Sequence, residues 1–248
     1  MDLETFDRIV YQNWTQHFGC PVTTVQQSGT TFVYEEQYRG NKSLALWYIG
    51  KHTFVQLDPE LIEPLKRVLE QLPTGASLRG DDLERAWGSD RIVLRDMNLI
   101  HYLYPADLPD YSPPESFTLR SLTLEDSELM SVFRNANPPE EAEGTYVEVN
   151  QEIAYGCFKD DQLVAASSAY KRTGFLDVGV LTLPEYRRLG LGKAAAGAVC
   201  EWSIARGIVP QYRNDVNNLG SQGVAMSLNF RTYFKQESVW LKDGAGLG

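Results

Sequence analysis

The stretch from Phe175 to Lys193 constrains this chain more than any other, and it reads FLDVGVLTLPEYRRLGLGK. Its branched apolar residues predict a strand that ends at Pro184, and Gly190 and Gly192 predict the start of a helix. The first N–H groups of a helix have no internal partners and lie at the positive end of the helix dipole. A diphosphate can therefore bind at this turn, provided that no side chain fills the space.

The spacing and charge of this turn exclude two well-known kinds of anion site. Arg187, Arg188 and Lys193 supply positive charge around the two glycines. Lys193 is followed by Ala194, so the Gly-Lys-Ser/Thr ending of a P-loop is missing, and so is the third glycine of a dinucleotide fingerprint. The motif alone leaves open an ordinary turn from strand to helix.

Composition limits the partners and the compartment. A chain of 248 residues with 43% hydrophobic residues can form one large domain or two small ones. Its net charge of -10 argues against a nucleic-acid partner, which normally meets a basic face. The three cysteines are too few and too scattered for a disulfide framework or a metal site, which predicts a reduced, cytoplasmic protein. The N-terminus does not resemble a signal peptide, and no apolar run approaches the roughly 20 residues of a membrane helix.

Element patterns predict two domains joined by a linker. Residues 1–106 read as an α+β domain of unknown role, in which 22–58 predict a small antiparallel meander. Three prolines in 107–115 predict the linker. Residues 116–243 then follow the order β-α-β-β-β-α-β-α-β, with 135–144 as a loop, and 244–248 read as a flexible tail.

A second motif follows the glycine turn. Asn218 and Ser221 open a predicted helix, and Asn229 precedes Phe230 at its end. Together with the first motif, this resembles the GNAT acetyltransferase superfamily, in which a strand and a proline lead into Arg/Gln-x-x-Gly-x-Gly/Ala and a later Asn-x-x-Ala/Ser helix ends at Gly-Phe. Asn229 stands in the place of that glycine, a mild change because asparagine tolerates the left-handed conformation.

The resemblance covers Phe117 to Trp240 and is nearest to a bacterial group with an extra N-terminal domain. It implies an α/β (α+β) fold with a mixed central sheet of the acyl-CoA N-acyltransferase type. A smaller α+β domain would precede this sheet. Because residues 45–72 also run from strand to helix, the first domain is either a degenerate GNAT-like half or unrelated.

The resemblance also implies a binding site for acetyl-CoA, the cosubstrate. Backbone groups of a splayed strand end would bind its pantetheine arm, the glycine turn would bind its diphosphate, and the following helix would reach the arm. The implied residues are Val180, Leu181, Thr182, Arg187, Arg188, Leu189, Gly190, Leu191, Gly192, Lys193, Asn218 and Ser221. Helix capping is the alternative role of Asn218 and Ser221.

Acyl transfer to an amine needs a base, an oxyanion donor and a way to release the thiolate. Asp177 is the first candidate base, followed by Glu152 and Glu148, although Asp177 has an alternative role in orienting a cationic group. The backbone N–H of Leu181 or Thr182 could stabilise the oxyanion.

Thiolate release has three candidate routes in this chain. Many GNAT enzymes place a tyrosine seven residues after the asparagine, where this chain has Ala225. Tyr233 could supply the acid instead, Ser221 could bind the sulfur region, or no acid is used. The histidines His17, His52 and His101 read as structural.

The sequence therefore predicts an N-acetyltransferase that transfers an acetyl group to a primary amine by direct attack in a ternary complex. Its charge favours a small cationic acceptor, with no nucleic-acid or membrane partner, and leaves open a homodimer. The alternative is a non-catalytic module or sensor that binds acyl-CoA and uses the N-terminal domain for partner contact.

Overall fold

The computed structural model describes residues 1–34 and 36–242, apart from the side chain of Leu94. The chain divides into two compact units. The first comprises Met1–Ile100 and the chain from Tyr233 onward, and the second comprises His101–Thr232. The tail predicted for 244–248 lies outside the described residues.

The described secondary structure alternates helices and strands along the chain. The helices are α1 (Leu3–His17), α2 (Ile62–Glu70), α3 (Gly80–Trp87), α4 (Ser127–Asn135), α5 (Pro139–Thr145), α6 (Leu191–Ile204) and α7 (Leu219–Ser227). The strands are β1 (Gly29–Tyr34), β2 (Ser43–Ile49), β3 (His52–Leu57), β4 (Ile92–Tyr102), β5 (Thr118–Ser121), β6 (Ile153–Lys159), β7 (Gln162–Arg172), β8 (Phe175–Thr182), β9 (Pro210–Asp215) and β10 (Arg231–Leu241). Within 1–34 and 36–242, no helix has the length and apolar character needed to cross a bilayer.

The first unit contains strands in the order β1-β3-β2-β10-β4. β2 and β3 form the predicted hairpin around Gly50, but β1 pairs with β3 in parallel. The predicted antiparallel meander is therefore wrong, because the outer edge of β2 pairs with β10 and leaves β3 as the partner of β1. Val22–Gln26 forms a short 3-10 turn instead of a strand, and its Val25 carbonyl accepts a hydrogen bond from Lys51 N–H at 2.8 Å.

The second unit contains a mixed sheet in the order β9-β8-β7-β6-β5. Strands β5 to β8 are antiparallel neighbours, whereas β8 and β9 are parallel. Because successive strand residues point to opposite faces, β8 separates two layers. A Cβ atom built on Gly179 would lie 2.3 Å from the Thr145 carbonyl oxygen of α5, whereas Val180 faces Gly192 of α6.

Helix α5 occupies part of the segment predicted as a loop, so that prediction is wrong. Pro139 stands in its first turn, and Glu140 and Glu141 follow it there. Proline lacks the N–H that a first turn cannot use, and acids favour the positive end of the helix dipole. These start signals explain why a short acidic segment is helical.

The proline-rich segment 107–115 lies within the second unit. Asp107 forms an ion pair with Arg231 at 2.6 Å, and its carbonyl accepts a hydrogen bond from Asn229 Nδ2 at 2.9 Å. The hydroxyl of Tyr111 donates to Glu201 of α6 at 2.5 Å. A Cβ atom on Gly197 would lie 2.4 Å from Cβ and Cγ of Tyr111, so α6 and this segment are in close contact.

We expect Gly197→Ala to lower the free energy of unfolding by about 1–3 kcal/mol, because the added methyl group would overlap Cβ and Cγ of Tyr111, which cannot move without the backbone or the whole ring. Thermal and urea denaturation would measure this loss. Gly144→Ala is the control, since a Cβ atom there meets nothing within 4 Å and alanine is the better helix former. Equal stability of the two variants would contradict the contact.

Candidate functional site

The site is organised around the place where β8 and β9 separate. Their parallel pairing joins Leu176 to Pro210, Asp177 to Gln211, and Val178 to Tyr212, where it ends. Both strands run on, to Thr182 and to Asp215. The backbone groups of β8 that face this opening therefore have no ladder partner from β9, and an extended amide-bearing molecule can pair with them.

The glycine turn follows β8 and leads into α6. Arg188 and Gly190 both have positive φ angles, of 64° and 81°. Gly190 is the N-cap of α6 and makes no side-chain capping bond, and the N–H of Ala194 is the first to donate back, to the Gly190 carbonyl at 2.9 Å. The N–H groups of the first turn before Ala194 therefore point out of the helix start, as an anion site requires.

Gly192 leaves space between α6 and the end of β8. A Cβ atom there would lie 3.2 Å from Thr182 Oγ1, 3.4 Å from Val180 Cγ2 and 3.6 Å from Val224 Cγ2. A larger side chain would fill the gap through which the arm of acetyl-CoA would pass. The glycine and the bare helix start fit this cosubstrate, with the diphosphate at the N-terminus of α6 and the arm along β8.

The three basic residues of the turn have different surroundings. Arg187 forms an ion pair with Glu141 at 2.7 Å, and its Nε donates to the Thr182 carbonyl at 3.2 Å. Its charge is therefore largely used to hold the turn against the end of β8. Arg188 is exposed and has no ion-pair or hydrogen-bond partner in the described part of the chain, so its guanidinium group is free to bind an anion.

Lys193 lies near a second carboxylate. The pKa of Asp110 is lowered by hydrogen bonds from Ser112 and, to a smaller extent, by the charge of Lys193. Lys193 still makes no direct ion pair with any residue in 1–34 or 36–242. It therefore stays available beside the first turn of α6.

Asp177 lies in the last part of β8 that is paired on both sides. Asp177 is only 6% exposed, and its carboxylate forms an ion pair with Arg213 of β9 at 3.0 Å and accepts a hydrogen bond from the Tyr170 hydroxyl of β7 at 3.3 Å. Both partners bind the same oxygen, Oδ2. Oδ1 has no hydrogen-bond partner among the described residues, which leaves it free to accept a proton from a substrate.

The other two candidate bases lie outside β8 and are paired with basic residues. Glu152 precedes β6, is exposed and forms an ion pair with Lys171 at 3.3 Å. Glu148 forms an ion pair with Arg134 of α4. Neither carboxylate lies on β8, so Asp177 alone of the three is built into the strand that borders the opening.

Helix α7 begins next to the same opening. Asn218 is its N-cap and accepts a hydrogen bond from Ser221 N–H at 2.9 Å, which is the capping role given as the alternative above. The Ser221 hydroxyl instead contacts the Tyr212 hydroxyl at 3.0 Å. Ala225 is buried in the core between α6, α7 and the sheet, so no acid comes from that position.

Tyr233 belongs to the first unit. Its hydroxyl donates a hydrogen bond to Asp7 of α1, and its ring packs edge-on against Phe6 and Tyr11. Its role as an acid stays a prediction, and the hydrogen bond to Asp7 gives the hydroxyl a structural partner.

Sequence reasoning missed Tyr170 and Arg213 as partners of Asp177. The register places Tyr170, Asp177 and Gln211 in one row across three strands, and Arg213 follows on the same face. Alternation along each strand was readable from the sequence. The register between β8 and β9, which brings the row together, was not.

Three comparisons with known proteins bear on this site. Residues 149–237 match the family model described as GNAT acetyltransferase. No curated protein sequence matches the chain. The matched range contains β8, the glycine turn, α6, β9 and α7, whereas Glu141, Glu148 and α5 lie outside it.

Solved structures from bacteria resemble the fold. A GCN5-related N-acetyltransferase-like protein from Streptococcus suis 89/1591 is 20% identical, with a TM-score of 0.50 over 81% of this chain and 84% of that one. A GCN5-related N-acetyltransferase from Sphaerobacter thermophilus is 12% identical, with a TM-score of 0.53 over 76% and 71%. A conserved protein of unknown function from Staphylococcus epidermidis ATCC 12228 is 10% identical, with a TM-score of 0.54 over 77% and 84%. At these identities the likeness establishes the fold.

His101 of β4 contacts one residue of β9 and one of β10 through its two ring nitrogens. Its Nε2 contacts Asn214 Oδ1 at 2.8 Å and its Nδ1 contacts Thr232 Oγ1 at 2.9 Å. Burial lowers the pKa of His101 below its usual value, although the bond to Asn214 opposes this shift. In the folded protein His101 therefore binds a proton less readily than it does in the unfolded chain, where a histidine has a pKa of about 6.5.

We expect this histidine to stabilise the fold fully above about pH 6.5 and to contribute less as the pH falls below that value. His101→Gln should be less stable than wild type at pH 7.5 by about 1–3 kcal/mol, because buried hydrogen bonds are lost. The difference should narrow toward pH 5. Urea denaturation of both proteins across this range measures it, and a constant difference would contradict the assignment.

Proposed function

Because this chain belongs to the GNAT acetyltransferase superfamily, we propose that it transfers the acetyl group of acetyl-CoA to the primary amine of a small acceptor. The observation that carries the proposal is the opening between β8 and β9, which has the glycine turn on one face and a buried carboxylate on the other. Acetyl-CoA supplies an activated thioester when it binds.

The two faces of β8 would bind different reactants. Val180 and Thr182 point toward α6, where the cosubstrate would lie, whereas Asp177 and Gly179 point toward the face of α5. An acceptor amine would therefore approach from the α5 face and meet the thioester in the opening. This arrangement supports direct attack in a ternary complex, since both reactants would be held in place at once.

Asp177 is the proposed base. Arg213 and Tyr170 fix its Oδ2, and Oδ1 is left to accept the proton that the amine loses. A protonated primary amine is itself a cation, which the carboxylate attracts. The amine attacks after it has lost one proton to solvent, and Asp177 takes the second proton as the amide forms. The backbone N–H of Thr182, which points to the β9 side beyond the last pair with that strand, is the proposed donor to the oxyanion, whereas the N–H of Leu181 points to β7.

The carboxylates near the site bear on the charge of the rest of the acceptor. Glu148 and Glu152 suggested a cationic acceptor, and each forms an ion pair with a basic residue. The proposed cationic character therefore rests on the reacting amine and Asp177. Assembly as a homodimer and a cytoplasmic location stay predictions from the sequence.

One observation favours the alternative, a module that binds acyl-CoA without catalysis. The usual position of the acid is occupied by the buried Ala225, and the hydroxyl of the substitute Tyr233 donates to Asp7. General acid catalysis is typically worth about 10²–10⁴ in rate, so an enzyme without it would be slow rather than inactive.

We expect Gly192→Val to weaken acetyl-CoA binding at least about tenfold, because the branched side chain would fill the gap beside Thr182 and Val180. Isothermal titration calorimetry measures the affinity. Gly223→Ala is the control on α7, where a Cβ atom meets nothing within 4 Å and binding should not change. If Gly192→Val bound acetyl-CoA as tightly as wild type, the proposed position of the cosubstrate in this gap would be wrong.

We expect Asp177→Asn to lower kcat by about 10²–10⁴ while acetyl-CoA affinity stays the same, since the amide cannot accept the proton. Release of free thiol in the presence of a panel of primary amines measures the rate. Asp161→Asn, in the turn between β6 and β7, is the matched control. If Glu152→Gln lost more activity than Asp177→Asn, the base would be Glu152. If no amine produced thiol above background while acetyl-CoA bound, the binding-module alternative would hold.

A further inference from the structure

Three polar side chains lie around the Asp177 carboxylate on the α5 face of the sheet. Tyr170 stands opposite Asp177 in the pairing of β7 with β8, and Arg172, two residues on, points to the same face. Arg213 reaches the carboxylate from β9. The four groups form one row across three neighbouring strands of the second unit.

The hydrogen bonds in this row converge on one oxygen of Asp177. Arg172 Nη1 donates to the Tyr170 hydroxyl at 3.4 Å, and that hydroxyl donates to Asp177 Oδ2 at 3.3 Å. Arg213 Nη2 donates to the same oxygen at 3.0 Å. Both guanidinium groups therefore lie within two hydrogen-bond lengths of Oδ2.

The two guanidinium groups leave most of their five N–H donors unused. Arg172 is partly exposed, donates only to the neutral hydroxyl and makes no ion pair with any residue in 1–34 or 36–242. Arg213 is also partly exposed, and its Nε and Nη1 have no hydrogen-bond partner among the described residues. Nε2 of the buried Gln211, which stands opposite Asp177 on β9, lacks an acceptor in the same part of the chain. The row therefore has an excess of donors and of positive charge.

Two carboxylates of neighbouring segments have partners of their own. Glu148 forms its ion pair with Arg134 of α4. Asp215 lies three residues beyond the last pair of β9 with β8, and it accepts a hydrogen bond from the Asn217 N–H at 2.6 Å. Neither is an ion-pair partner of the arginines in the row, so Asp177 is the carboxylate that these two cations share.

We infer that the acceptor carries a carboxylate close to its reacting amine, and that Arg172 and Arg213 bind this carboxylate. This inference rests on the proposed function and narrows the acceptor to the class of small amino acids. A guanidinium group presents paired N–H donors in one plane, which match the two oxygens of a carboxylate.

The spacing of the groups limits the length of the acceptor. An amine hydrogen-bonded to Asp177 Oδ1 lies about 2.9 Å from that oxygen, while Arg213 binds the other oxygen of the same carboxylate. An anion on either arginine is therefore only a few bonds from the amine, as in an α- or β-amino acid. Arg172 lies opposite Phe175 at the start of β8, whereas the thioester would lie beyond Val178. The acceptor would thus bind with its amine toward the thioester and its carboxylate away from it.

The test compares amino acids with their carboxamides as acceptors. Glycine, β-alanine and larger amino acids are each assayed beside the corresponding carboxamide for release of free thiol from acetyl-CoA. The carboxamide keeps the amine but loses the negative charge. More of its amine is deprotonated at a given pH, because no neighbouring carboxylate stabilises the ammonium form. Intrinsic reactivity therefore favours the carboxamide, yet we expect kcat/KM of the best pair to favour the acid at least about tenfold.

Three variants separate a binding role of Arg172 from a structural one. Arg172→Gln should raise KM for the preferred acid about tenfold or more and leave its kcat and the kinetics of the carboxamide unchanged, since only the acid loses a charged hydrogen bond. Arg172→Lys keeps the charge without the planar fork and should fall in between. Arg206→Gln is the matched control, because this arginine lies against Trp202 beyond the end of α6. Melting temperatures show whether each variant is folded.

The outcomes distinguish this inference from the function on which it rests. The inference is overturned, and the function stands, if carboxamides or simple amines react as well as the acids in wild type. It is also overturned if Arg172→Gln leaves the preference unchanged or raises KM equally for both members of a pair. If no acid, carboxamide or simple amine yields thiol, the proposed function fails and the inference fails with it. An acid preference that is lost in Arg172→Gln and partly kept in Arg172→Lys supports it.

Discussion

The separation of β8 from β9 after Val178 and Tyr212 is the constraint on which the rest of the site depends. Buried backbone N–H and C=O groups need partners, and two strands that part leave such groups unpaired on both edges. The structure tolerates the opening because α6 and α7 begin beside it and pack on the same core. Those two helix starts differ in the backbone N–H groups that they leave unpaired. One start is bare at Gly190, and the other is capped by Asn218.

The opening also connects two faces that differ in charge. The α6 face is apolar up to the glycine turn, where Arg188 and Lys193 stand without direct ion pairs among the described residues. On the other face, Asp177 has one oxygen fixed by Arg213 and Tyr170 and one oxygen free. The two cations of the glycine turn and the Asp177 carboxylate thus lie on opposite sides of one strand. That separation prevents the two groups from neutralising each other.

The sequence predicts the parts of this site that depend on local signals. Strand β8, its end at Pro184, the glycine turn and α6 follow from residues close together in the chain, and the structure confirms them. Helix α5 carried a proline and acids in its first turn, yet its acidic composition indicated a loop. The 3-10 turn Val22–Gln26 is rich in β-branched residues but too short to show a period. Pairs across strands, such as Asp177 with Arg213 and Tyr212 with Ser221, depend on register, which no local pattern contains.

The acidic character of the chain does not conflict with a site for a polyanion. The net charge is -10, yet charges on the surface are screened over about 8 Å at physiological ionic strength. A diphosphate at the start of α6 would therefore respond mainly to the groups within that distance. These include the N–H groups of the first turn, Arg188 and Lys193, whereas Arg187 is already paired with Glu141. On the proposed function, local backbone donors and two cations would decide the binding, and Arg187, paired with Glu141, would support the turn that presents them.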